Sequence, residues 1–367
     1  MKLFGRKAGR EESRPALEFR RTRFAEGGGA LPAGYQAQVR GLYLRNAIAQ
    51  RAVRMIADGV GDAPLAAAPE IAALVQARSG GQALTATLAA HLLLHGNAYV
   101  QLLTDPHGRL VELFALRPDR VSVAPDAAGW PVAYRYTVGI TATLLAADEP
   151  RPQIVQIKAF HPLDDHYGLG CLGAAARAIA LHNAAAAWNT ALLDDAARPS
   201  GALVYDPGDG SSLSREQFAR LRDEMEASFA GARNAGRPML LEGGLKWQAL
   251  SLTPADLDFA EMKAAAAREI ASSFGVPPML LGLPGDATYA NYKEANRALW
   301  RLAILPLAGT IFAALAQGLR GWFGDVALGV DLDRVTALAE DRERLWAQVS
   351  AADFLTPEEK RAMVGVH

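Results

Sequence analysis

Between Leu172 and Ala197 the chain is built almost wholly of small and apolar residues, with alanine at 174 to 176, 178, 180 and 184 to 187. Alanine is the strongest helix former. The run predicts one helix of roughly 25 residues, about 37 Å long at 1.5 Å per residue. Pro199 stops it. Its thin surface lets neighbouring helices approach closely, which suits lateral packing in a ring. A second helix is expected from Thr253, with Thr253 as N-cap, Pro254 at N1 and Asp256 at N3. Phe259, Met262, Ala266, Ile270 and Phe274 share its apolar face, and Gly275 with Pro277-Pro278 ends it.

Between these two helices lies a compact insert, Gly201 to Leu252. It opens on a strand at 202–205. Ser214 and Gln217 then form a capping box ahead of a helix with Phe218, Leu221, Met225 and Phe229 on one face. Segments 238–241 and 246–250 are expected to pair as a hairpin around Gly243-Gly244. Beyond the second helix, 282–287 reads as a flexible loop. A long apolar helix follows to about Leu319, kinked at Pro306. Leu302 to Leu319 carries no charge over 18 residues, near the lower limit for a membrane span. Pro306 and Gly309 inside it favour a buried helix. A strand at 326–332 and helical segments at 334–349 and 357–364 complete the chain, the last behind a Thr356–Glu359 capping box.

The first half has a different grammar. Tyr35 to Ala57 reads as a helix with Leu44, Ile48, Ala52 and Met55 on one face. Shorter helices are expected at 70–78 and 84–95, stopped by Gly80-Gly81 and Gly96. The period then changes to two: strands are expected at 98–103, 110–116, 121–124, 132–138 and 154–160, with turns at 105–108 and 126–129. The fold class is therefore α+β, mainly helical, with an antiparallel sheet.

The formal net charge of −1 argues against a general nucleic-acid binder, which needs clustered cations. Cys171 is the only cysteine, so no internal disulfide forms and a reducing cytoplasm fits. The first 23 residues hold eight Lys or Arg against three acids. They lack the apolar core of a signal peptide, and residues 1–30 read as a mobile basic tail.

Several patterns invite chemistry. Gly168 to Gly173 matches G-x-G-x-x-G before a helix, with Asp194 and Asp195 about twenty residues on, as in a dinucleotide fingerprint. An NAD-linked oxidoreductase is thus the alternative function. Its context fails, because the acids lie in the same unbroken helix rather than after a second strand. His91 and His95, four apart on a helix, are spaced to share a metal, but no third ligand lies nearby. His161, Asp164, Asp165 and His166 cluster in a loop that reads as a polar turn. Cys171 beside an apolar helix start reads as a structural thiol. No catalytic, cofactor-binding or metal-binding set is expected, and no enzyme.

What remains resembles the HK97-type portal proteins of tailed phages. The resemblance runs from about Tyr35 to Leu319. It is carried by the order and spacing of 46–65 (NAIAQRAVRMIADGVGDAPL), 91–121 (from HLLLHGNAYVQLL to FALRPDRV), 167–175 (YGLGCLGAA), 274–282 (FGVPPMLLG), Thr288-Tyr289-Ala290-Asn291 and 300–306. A short chain of this kind also suits the portal of a gene transfer agent, a phage-like particle.

The resemblance implies a portal fold assembled as a ring, a dodecamer. Residues 31–171 would be the wing, 172–199 and 253–275 the stem helices, and 200–252 the clip. Residues 276–292 would be the tunnel loop and its flanks, 293–333 the wing and tunnel helix with its strand, and 334–367 a short crown. Leu283, Pro284, Gly285, Asp286, Ala287, Thr288 and Tyr289 would line the DNA channel. The segment 283–288 holds no basic residue, which suits sliding past phosphate. Arg233, Asn234 and Arg237 in the clip would face a partner. The implied partners are double-stranded DNA, the packaging terminase, a head-tail adaptor and the major capsid protein, with no membrane. The implied place is the portal vertex of a virion or phage-like particle assembled in a bacterial cytoplasm.

Overall fold

A computed structural model describes residues 16–17, 31–32, 34–79, 81–147, 150–194, 201–205, 214–229, 245–249, 259–283 and 289–365. The chain forms two compact units, Met1–Arg177 with Arg268–His367, and Ala178–Ala267.

The first unit opens with α1 (Tyr35–Gly41), a 3-10 turn (Tyr43–Arg45) and α2 (Ala47–Gly61). The single helix expected from Tyr35 is broken at Asn46. Asn46 adopts an extended backbone, and its side chain accepts the N–H of Ala49 at 2.8 Å. An asparagine N-cap satisfies a donor that a continuous helix would not leave free. The restart shifts the buried face to Ala49, Ala52, Val53, Ile56, Ala57 and Val60, and leaves Leu44 57% exposed. After β1 (Leu65–Ala67) come α3 (Pro69–Gln76), a two-residue pair β2 (Arg78–Ser79) and β3 (Gln82–Ala83), and α4 (Leu84–His95). Gly96 caps α4 in the left-handed region at φ 81°.

The strands follow in antiparallel pairs. β4 (Asn97–Thr104) lies between β5 (Leu110–Leu116) and β9 (Ile154–Lys158). A second sheet holds β6 (Val121–Pro125), β7 (Pro131–Val138) and β8 (Thr141–Ala146). β8 has no counterpart in the sequence reading. Its residues Thr141 to Leu144 are all exposed, so the alternation that signals a half-buried strand is missing. Tyr99, Leu116, Val121, Val123, Tyr134, Leu145 and Ile154 join the two sheets in one core. Tyr99 and Tyr134 meet edge to face, 5.6 Å between ring centres. Leu17, in the segment read as a mobile tail, instead donates its N–H to Ala128 O at 3.0 Å on the β6–β7 turn.

Next come α5 (Cys171–Asp194), β10 (Gly201–Tyr205), α6 (Arg215–Phe229), β11 (Leu245–Ala249) and α7 (Phe259–Ser273). Within the second unit, Ala178, Ile179 and Ala185 of α5 and Ala266 and Ala267 of α7 are buried. His182 is held below its ordinary pKa by burial and then by the charge of Lys263, so α5 and α7 run within electrostatic reach of each other. The Ser214 capping box is present: Gln217 Oε1 accepts Ser214 N–H at 2.9 Å and Ser214 Oγ accepts Gln217 N–H at 3.2 Å. Phe218, expected on the apolar face, is 61% exposed. β11 pairs antiparallel with β10. Segment 238–241, expected to be its partner, and the expected cap Thr253 lie outside the described residues.

The first unit resumes through the end of α7. α8 (Tyr289–Leu299) runs into a π-helical turn (Trp300–Ile304) and then α9 (Leu305–Phe323). Proline lacks an N–H and its ring crowds the carbonyl four residues back. The irregularity expected at Pro306 therefore sits one turn earlier, where a π-turn makes room. α9 buries Ala308, Ile311, Phe312, Leu315, Gly318 and Leu319 and packs on α2, α4 and β9. Gly59 of α2 accommodates Ile304, since a Cβ there would lie 2.5 Å from Ile304 Cδ1. β12 (Leu328–Val330) pairs antiparallel with β1. Two 3-10 turns (Leu332–Arg334 and Thr336–Leu338), α10 (Ala339–Ser350) and α11 (Pro357–Val364) finish the unit, and the Thr356–Glu359 capping box forms as expected.

Candidate channel segment and its supports

α7 ends in a Schellman motif. Gly275, at φ 75°, donates to Ser272 O at 3.0 Å, and Val276 donates to Ala271 O at 2.9 Å. Val276 is buried and pins the turn. Pro277 prevents the helix from continuing. A 3-10 turn follows (Pro278–Leu281), closed by Gly282 at φ 74°. Leu283 N–H reaches back to Pro278 O at 3.4 Å. From Phe274 to Leu283 there is no charged residue. Of the expected channel residues, Leu283 is half-buried at the end of this turn and Tyr289 opens α8. Pro284, Gly285, Asp286, Ala287 and Thr288 lie outside the described residues, as do Arg233, Asn234 and Arg237 of the insert.

The glycine motif does structural work. Gly168 and Gly170 pack backbone to backbone against the C-terminal cap of α4. A Cβ on Gly168 would lie 2.1 Å from Gly96 O and 2.6 Å from Ala159 N, and one on Gly170 would lie 2.6 Å from Leu94 O. Gly173 meets nothing within 4 Å. Asn97, fully buried, closes the junction. Its Oδ1 accepts Gly168 N–H at 2.8 Å and Gln156 Nε2 at 3.1 Å, while its Nδ2 donates to Gly168 O at 3.2 Å. The two glycines whose neighbours a phosphate would need are already filled by protein backbone.

The other candidates resolve similarly. Burial holds His91 and His95 down at about 4, so both are neutral at pH 7. The ring of Tyr35 stands edge-on to His95, 4.7 Å between centres. Asp164 Oδ1 accepts the N–H groups of His166 and Tyr167 at 2.8 and 2.9 Å, and His166 Nε2 bonds Gly129 O at 2.6 Å. The loop lies at the surface as expected, with Leu163 and Asp165 exposed, but Asp164 and His166 turn inward and are buried. Burial pushes the Cys171 thiol up, away from the thiolate a nucleophile needs. Among the described residues no three His, Cys, Asp or Glu side chains are placed to hold a metal. One helix, Ala290–Phe323, is long and apolar enough by length and composition to cross a membrane. One side of it forms the core of the first unit, and Leu302 on the other is 78% exposed.

Residues 47–365 match the family model described as phage portal protein. The chain belongs to that family. Among solved structures, a chain from the virion of a native gene transfer agent particle is 49% identical. The match covers 91% of this chain and 93% of that one with a TM-score of 0.72. A chain from the neck of a native gene transfer agent particle, computed with C12 symmetry, is 48% identical over 90% of this chain and 92% of that one, with a TM-score of 0.71. An HK97 family phage portal protein from Corynebacterium diphtheriae shares the fold at 18% identity, over 83% and 96% of the two chains, with a TM-score of 0.57. The α+β portal fold expected from the sequence is thus the fold observed.

Sequence reasoning did not find the ion-pair cluster that flanks α8. Arg297 contacts Glu294, Glu340 and Asp341, and Lys293 contacts Glu340. Only the Glu294–Arg297 spacing was visible locally. The acids of α10 are brought in by the tertiary fold.

Proposed function

We propose that this portal protein forms a ring of twelve copies at one vertex of a gene transfer agent particle, through which double-stranded DNA enters and leaves. The observation that carries the reading is near-half identity, over nine-tenths of the chain, to a protein of a particle neck with C12 symmetry. In this ring 31–171 form the wing, 172–199 and 253–275 the stem, 200–252 the clip and 334–367 a short crown. Residues 276–292 face the channel. Their lack of basic side chains keeps phosphate from being gripped. The clip, with Arg233, Asn234 and Arg237, meets the packaging terminase and later the head-tail adaptor, and the major capsid protein surrounds the wing. The chain conducts DNA without a reaction of its own, and assembly takes place in the bacterial cytoplasm.

Two measurements test this. Negative-stain imaging of the purified chain, alone and with its capsid partners, should show rings; a chain that stays monomeric in both conditions overturns the reading. Deleting Pro284 to Ala287 should leave rings intact and sharply lower the fraction of DNA-filled particles. Loss of folding instead would make the loop part of the core.

A further inference from the structure

Helix α8 is held in a different way from its neighbours. Among its described side chains only Leu299 is buried, and Ala290 to Glu294 are exposed. Little apolar area at residues 290–294 therefore helps to fix this part of the helix. Charge does more. The Arg297 guanidinium donates to Glu294 Oε1 at 2.9 Å in its own helix and to Glu340 Oε2 at 2.8 Å, and its Nε lies 3.4 Å from Asp341 Oδ2. The Arg297 side chain is only 13% exposed. Lys293 adds a second pairing to Glu340. Two guanidinium nitrogens donating to two carboxylates, with a third carboxylate close by, fix direction as well as distance, which one ammonium cannot do.

Glu340 and Asp341 come from the first turn of α10, where the helix dipole already favours negative charge. The 3-10 turn Thr336–Leu338 packs on α8 just ahead of them. α10 is braced in turn. Arg342 donates to Asp333 Oδ1 and to Val364 O, and Trp346 Nε1 donates to Asp333 Oδ1 at 3.2 Å. A chain of polar contacts therefore runs from the end of α11 through α10 to α8.

We infer that Arg297 is a positioning residue: through Glu340 and Asp341 it makes the C-terminal segment 334–365 a strut that sets the orientation of α8. The inference rests on the channel reading of 276–292, because α8 begins at Tyr289, the last of the expected channel residues. On that footing the short crown acts on the channel, and high salt loosens the connection, since the pairs holding it face solvent on their acidic side.

Hydrogen exchange on the purified full-length protein reads the strut directly. In Arg297→Gln, amides of Tyr289–Leu299 should exchange about tenfold faster while those of α9 stay unchanged. The wild type in about 1 M sodium chloride should move the same way. Arg297→Lys should recover only part of the protection. Glu340→Gln touches only an exposed carboxylate and should loosen α8 to a lesser degree, so the measurement stands even if Arg297→Gln folds poorly. Unchanged exchange of α8 in both variants overturns the strut. Particle loading then reads its consequence: Arg297→Gln should form rings in normal number and give severalfold fewer DNA-filled particles. If loading is normal there while deletion of 284–287 abolishes it, the channel reading stands and the role of Arg297 falls. If neither change affects loading, the channel reading falls with it.

Discussion

Two junctions in the first unit each tie together distant stretches of chain, and they do so by opposite means. At Gly96, Gly168 and Gly170 the backbones touch, Asn97 is fully buried, and no side chain could yield to relieve a clash. At α8 the contacts are made by long charged side chains, several of them half in water. The first arrangement admits one geometry. The second holds a helix through charge and weakens where salt screens it.

The largest expected effect is on the glycine junction. Gly168→Ala puts a Cβ 2.1 Å from Gly96 O and 2.6 Å from Ala159 N, and both neighbours are backbone. A loss of about 4 kcal/mol should follow, read from the midpoint of urea unfolding. An unchanged midpoint would mean that the junction yields, and the contrast with α8 would fail.

Acid should come next. His91 and His95 have folded-state pKa values of about 4 against an ordinary 6.5, so the unfolded chain takes up protons first. Their contribution is complete above pH 6.5 and is lost as pH falls toward 4. With one protonation controlling the pair, the loss is roughly 3 kcal/mol by pH 4. Unfolding series across that range should show the slope, and His91→Phe should flatten it. Asn97→Ala leaves the Gly168 N–H and Gln156 Nε2 without the acceptor they share. It should cost about 2 kcal/mol by the same measurement. Arg297→Gln should be the smallest of all in global unfolding, with a midpoint close to wild type, because the carboxylates it pairs with stay 31 to 66% exposed and pairs with one side in water contribute little to overall stability. A large global loss there would show that α8 belongs to the cooperative core.

The sequence was readable where a signal is local. Helix 84–95, strand 110–116 and the capping boxes at Ser214 and Thr356 lie where spacing and cap chemistry place them. Order and spacing of short motifs also carried the portal family across most of the chain. Asn46 is a local signal too, an N-cap masked by the apolar pattern that joins across both sides of it. β8 was invisible because an exposed strand shows no alternation. The glycines of 168–170 were visible as a pattern but not in meaning, because the partner that requires them, Gly96, lies some seventy residues earlier. The Arg297 cluster fails for the same reason, since Glu340 and Asp341 acquire their role only when α10 folds beside α8. Of the residues expected to line a channel or face a partner, Leu283 and Tyr289 are described, while Pro284 to Thr288 and Arg233, Asn234 and Arg237 lie outside the described residues.

The π-turn ahead of Pro306 has a consequence for the length of this helix. Leu305 N–H bonds Trp300 O, five residues back instead of four, and the turn lets both Leu299 and Ile304 reach the core. Removing one residue there, such as the exposed Leu302, would restore regular α-helical bonding. α8 and α9 would keep nearly their present relative rotation, because the π-turn already absorbs the extra residue. The same deletion in a regular stretch would turn one helix by about 100° against the other, so the π-turn is a place where the spacer can lose a residue while the segment it carries keeps its direction.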